Sequence, residues 1–180
     1  MCIHFVNIIF SAFLENKTKI AGIGLGNSIL CIFSIYFMFG FLVPLETFTS
    51  QAYGAGDIRL CGVYLNRALI LYHIALIPIF IILLNTKAIL LGFGQDPEVV
   101  RYAEEFIRYA LPGTYLFMMN MTYRRWLINM KKSGISLFLS LISLICYLTV
   151  AYLFVIVWDY EIKGIALALF AYGLCYQICA

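Results

Sequence analysis

Apolar residues run through this chain in long continuous stretches broken by short polar segments, with no period-two alternation. A helix needs roughly 20 apolar residues to cross a bilayer. Four stretches reach that length: 22–43, 63–84, 109–128 and 134–157. A fifth, 163–179, is still apolar where the sequence ends, and another at 3–14 reaches only about 18 Å at 1.5 Å per residue. The 109–128 stretch begins earlier as a helix, because Asp96-Pro97-Glu98 supplies an N-cap, a proline at the first helical position and an acid in the first turn. The pattern predicts an all-α integral membrane bundle within one unit, 1–180. It has about six helices, 3–14, 22–43, 63–84, 98–128, 134–157 and 163–179, the first and last truncated.

Composition moves the solvent from water to lipid. Hydrophobic residues are 64% of the 180 and charged residues 12%, against the quarter charged that is typical of soluble domains. A chain this short cannot bury so much apolar surface within itself. A β-barrel is disfavoured, since its strands are short and alternating. The net charge of +3 is too small to indicate a nucleic acid partner.

Charge position carries more information than charge total. Arg59 and Arg67 fall around the junction of the second and third helices, and Arg124, Arg125, Lys131 and Lys132 around that of the fourth and fifth. The alternate loops hold Lys17, Lys19, Lys87 and Lys163 with most of the acids. Basic loops favour the cytosol, which places the Arg59 and Arg124–Lys132 ends there. Glu98, Arg101, Glu104, Glu105 and Arg108 recur three or four apart, as a solvated, ion-paired helix face does.

Polar residues inside the apolar helices are the candidates for chemistry. Gly22, Gly26, Asn27, Cys31 and Ser34 share one face of the second helix. Ser133, Ser136, Ser140, Ser143 and Tyr147 form a stripe on the fifth, and Gly164, Ala168, Ala171 and Cys175 one on the sixth. Such stripes turn away from lipid, either to pack helices or to line a cavity. Pro44, Pro78 and Pro112 interrupt helical hydrogen bonding, and Pro112-Gly113 marks a candidate bend. Glu46 and His73 are ionisable groups within or beside membrane helices, where a charge is costly and therefore paired or functional. Phosphate loops, zinc-protease motifs and nucleophile elbows are absent, and six scattered cysteines and two histidines offer no metal-type spacing. The sequence gives no ground for an enzyme, a bound metal or a cofactor.

The stretch Gly40–Gly56, centred on Leu45-Glu46-Thr47 and Gln51-Ala52-Tyr53-Gly54-Ala55, resembles the second-helix signature of the multidrug and toxic compound extrusion (MATE) transporters. Tyr64-Leu65-Asn66-Arg67-Ala68, Gly94-Gln95-Asp96-Pro97-Glu98-Val99, Leu111-Pro112-Gly113 and Gly164-Ile165-Ala166-Leu167-Ala168 follow in the order and spacing of that family, on its eukaryotic-like branch. The resemblance implies one six-helix lobe, the amino-terminal one, of a twelve-helix antiporter. The carboxy-terminal lobe of the same protein would then be its partner, and H⁺ or Na⁺ the coupling ion.

It implies a small organic substrate, cationic or amphipathic, exported through a cavity between the lobes by alternating access. Candidate cavity-lining residues are Asn27, Ser34, Tyr115, Asn120, Ser140, Ser143 and Tyr147; Met118, Met119 and Met121 suit either an adaptable apolar surface or ordinary lipid-facing packing. Gln51, Gly54, Arg67, Gln95, Asp96 and Pro97 are signature positions with structural roles. Plasma membrane and vacuolar membrane are both compatible. Two other readings stay open: a lipid-precursor flippase of the same superfamily, and a truncated membrane protein that does not transport.

Overall fold

The computed structural model describes residues 17–157 and 161–179; the helix expected over 3–14 lies outside them, as does the side chain of Ser34. Every element among the described residues is helical. Helix α1, Lys17–Leu30, passes through a π-helical turn, Cys31–Tyr36, into α2, Phe37–Gly54. Together they form a continuous 38-residue rod rather than a helix ending near residue 43. Hydropathy falls after Pro44, but the hydroxyls there do not break the helix. Thr47 Oγ1 donates to the Val43 carbonyl at 3.1 Å and Ser50 Oγ to that of Thr47 at 2.9 Å. Hydroxyls satisfied on their own helix let it run on past the apolar stretch.

The rod ends in a Schellman-type cap: Gly56 adopts φ +81°, its amide reaches Tyr53 O and the Asp57 amide reaches Ala52 O. Asp57 then caps α3, Ile58–Leu84, by accepting from the Leu60 amide at 2.9 Å. At 27 residues α3 is about 40 Å long. A short helix α4, Thr86–Gly92, was not foreseen in the hydropathy pattern. Helix α5, Pro97–Asn129, opens as its sequence demands, with the Asp96 side chain accepting from the Glu98 and Val99 amides. It continues unbroken through Pro112-Gly113. Helix α6, Ser133–Tyr152, ends in a second π turn, Leu153–Val157, and α7 is Glu161–Cys179.

Helix α5 is the axis of the bundle and packs against each of the other six described helices. Between lipid-embedded helices there is no hydrophobic drive to associate, so close backbone approach decides where they cross. Glycine permits that approach at two crossings. A Cβ on Gly22 would meet Tyr102 and one on Gly26 would meet Phe106 and Ala103, so α1 lies flat on α5. A Cβ on Gly113 would meet the Leu169–Phe170 backbone and one on Gly173 would strike Leu116, which fixes α7 on the other side. At the Pro112-Gly113 step, close packing is the observed role of the glycine.

Outward faces are apolar. On α3, Ile70, Ile74, Ile77 and Ile81 are exposed at helical spacing, and on α6 Ile135, Phe138, Leu141, Ile145 and Leu148 repeat the pattern. Among the described residues three helical stretches, Lys17–Gly54, Ile58–Leu84 and Ser133–Val155, are long and apolar enough to cross a membrane.

Candidate functional site

The polar residues of α5 hold different neighbours. Tyr115, Asn120 and Arg125 lie five apart, so successive side chains point about 140° away from one another over roughly 15 Å of helix. Each meets another helix.

Tyr115 meets α3. Its hydroxyl lies 2.8 Å from His73 Nε2, while His73 Nδ1 lies 2.6 Å from the Leu69 carbonyl. A carbonyl only accepts, so Nδ1 carries a hydrogen; in the neutral ring Nε2 is then the acceptor and the tyrosine hydroxyl the donor. The imidazole is thus held at both nitrogens, near the middle of α3, on a side chain that remains exposed.

Asn120 meets α7. It is buried, and its Nδ2 donates to the Gly173 carbonyl at 3.0 Å. The tie is possible because the glycine brings the two backbones together. Arg125 meets α2, with Nη1 2.8 Å from Glu46 Oε1; the two side chains are 41% and 33% exposed, so water or headgroups reach the pair. One residue further, Trp126 Nε1 donates to the Cys61 carbonyl of α3 at 3.0 Å. Tyr53, Tyr64 and Trp126 pack around Ala52, Cys61 and Met130 at this end of the bundle. Tyrosine and tryptophan gather at membrane–water interfaces, which places the boundary at this layer.

The other candidates sit within the packing of the lobe. Asn27 is buried on the α1 face that meets α5. Ser143 and Tyr147 are buried on α6; Ser143 Oγ donates to Leu139 O at 2.8 Å, and Tyr147 stands edge-on to Tyr172 of α7. Ser140, half-buried, donates to Ser136 O at 2.7 Å. Met118 and Met119 are buried inside the bundle, not on an open surface, because the inner helix α5 buries nearly all of its middle. Tyr115 and His73, like Glu46 and Arg125, are joined across helices while remaining partly open.

The signature positions fall at helix ends and outer faces. Gln51 is exposed near the end of α2 and Gly54 is its last residue. The Gln95 amide closes α4 by donating to Leu90 O at 3.2 Å, and Asp96 and Pro97 open α5. Arg67 is exposed on α3. At the opposite end of α5, Glu104 receives Arg108 at 2.8 Å and Lys87 of α4 at 3.6 Å. The i, i+4 half of that arrangement was legible as spacing; the tie to α4 was not. Neither was the partner of Glu46, though opposite charges at one expected membrane face were a usable signal. Among the described residues no group of His, Cys, Asp and Glu side chains converges as a metal site.

The fold coincides with that of a solved protein. The crystal structure of the eukaryotic MATE transporter AtDTX14 superposes with a TM-score of 0.86 at 19% identity, covering 99% of this chain and 40% of that one. At that identity the likeness is one of fold. A family model described as MatE matches residues 1–153. The chain belongs to the MatE family. Protein DETOXIFICATION 34 of Arabidopsis thaliana is 26% identical over 173 residues, 93% of this chain and 31% of that protein. Multidrug and toxin extrusion protein 1 of Homo sapiens is 30% identical over 124 residues, 67% of this chain and 22% of that protein. This MatE chain spans about a third or less of the length of these curated relatives. Family and apolar helices together make it an integral membrane protein.

Proposed function

We propose that this chain is the amino-terminal lobe of a MatE exporter. With a carboxy-terminal lobe it forms a central cavity and expels small organic compounds, cationic or amphipathic, in exchange for H⁺ or Na⁺. The match of the MatE model over residues 1–153 carries the reading. The lobe's construction supports it: glycine crossings and interhelical polar ties brace the helices against one another, as a lobe that rocks as one body would require. The His73–Tyr115 pair is the polar feature best placed to meet a substrate on this lobe, since it is partly open and its hydroxyl and imidazole are already oriented.

Everted vesicles containing the polypeptide that joins this lobe to a second one provide the test. Uptake of a fluorescent organic cation should follow an imposed proton or sodium gradient and collapse with an ionophore. Uptake indifferent to both gradients overturns the proposal.

A further inference from the structure

Between α2 and α3 lies an open groove of about 510 Å³, lined by Gly40, Phe41, Pro44, Phe48, Tyr64, Arg67 and their neighbours. Its two ends differ. Phe48 and Tyr64 stack at 5.4 Å where the aromatic layer marks the membrane boundary, and Arg67 follows one turn further in. Beyond it the walls are Phe41, Gly40, Ala68 and Leu71, with no polar side chain among them. The groove is open beside Gly40, where nothing lies within 4 Å of the place a Cβ would take.

Arg67 is the anomaly. It is exposed on an apolar helix, and none of the described residues gives it a carboxylate; Glu46 on α2 is taken by Arg125. An arginine at this depth must find an anion or reach back to the headgroups, which its long stem allows. A slot with one cation at the boundary end and hydrocarbon walls running inward has the polarity of a glycerophospholipid. The guanidinium fork matches a phosphate, and an acyl chain fits along Phe41 and Leu71. The charge has the wrong sign for an organic cation.

We infer that the α2–α3 groove is a phospholipid site, with the headgroup phosphate on Arg67 and an acyl chain between Phe41, Pro44 and Leu71. The site goes beyond the export reading and does not depend on it, because its walls come from α2 and α3 alone.

The test reconstitutes the chain in liposomes doped with a phosphatidylglycerol probe carrying a photoreactive acyl chain, and maps the labelled peptides. Label should concentrate at residues 40–48 and 64–71, and excess phosphatidylglycerol should suppress it while diacylglycerol does not. Arg67→Gln should lower it about tenfold, as loss of a charge-assisted bond of roughly 1.5 kcal/mol requires. Label on the outer face of α6, Ile135–Leu148, reports bulk lipid and should not change. Ala68→Leu keeps the cation but fills the slot, and should lower label even if Arg67→Gln fails to fold. Equal competition by diacylglycerol, unchanged label in a folded Arg67→Gln or Ala68→Leu, or a dark groove beside a labelled α6 each overturns the site.

Discussion

Arg125 of α5 and Glu46 of α2 meet at 2.8 Å, at the same end of the bundle where Trp126 holds Cys61. Glu46 belongs to the second-helix signature, yet the pair is partly exposed, which limits its energetic worth. In a double-mutant cycle with Glu46→Gln and Arg125→Gln, the coupling should be about 0.5–1 kcal/mol and should shrink with added salt. Thermal unfolding of the detergent-purified chain measures it. A coupling that ignores salt would place the pair away from solvent and contradict the exposure.

Gly173 is predicted to be less tolerant than Asn120, although the two share a hydrogen bond. Gly173→Ala drives a methyl into Leu116 and should destabilise the chain by about 1–3 kcal/mol, with partial rescue by Leu116→Ala. Asn120→Ala removes one interhelical hydrogen bond, worth about 0.6 kcal/mol on average between membrane helices. Gly113→Ala should resist any such rescue, because its added methyl meets the backbone of Leu169 and Phe170. Melting temperatures of the four variants give the order.

The turn after α5 carries a correctable strain. Lys131 adopts φ 58° while its amide and that of Lys132 close the helix on Ile128 O and Leu127 O. Glycine holds the corresponding place after α2, at Gly56, and after α4, at Gly94. Lys131→Gly should therefore raise stability, by about 1 kcal/mol, and Gly56→Ala should lower it by a similar amount. Opposite shifts in melting temperature are the signature; shifts of the same sign would show that the loop charge, not the backbone, governs Lys131.

Tyr115→Phe keeps the ring beside His73 and removes only the hydroxyl. The loss should be about 0.5–1.5 kcal/mol, and His73→Phe in that background should then cost less than it does alone. If the pair also contacts substrate, Tyr115→Phe will raise the half-saturating concentration for transport more than it lowers the melting temperature of the lobe predicts.

Much of the architecture could be read in advance because hydropathy and capping are local. Asp96, Pro97 and Glu98 start α5 by rules written within four residues, and the structure obeys them. The end of α2 was misplaced because the fall in hydropathy after Pro44 marks where membrane gives way to interface, whereas Gly56 marks where helix gives way to turn. Partnerships between helices were the least legible. That Asn120 would reach Gly173, or that Met118 would be enclosed, depends on how α5 is rotated inside the bundle. No spacing within α5 fixes that rotation; it follows from which helices surround it.

The π turn at Cys31–Tyr36 has a consequence for phase. Carried forward at 3.6 residues per turn from Ile23, the inward positions would fall near residues 41 and 48. The buried residues are Leu42 and Thr49, each one place later. The wider turn absorbs one residue, and so brings the glycine face of α1 and the signature face of α2 onto the same partner. Chain length between Gly26 and Leu42 thereby acts as an angular setting. Removing a single residue there would swing Glu46 about 100° around the rod, away from Arg125, without altering the signature itself.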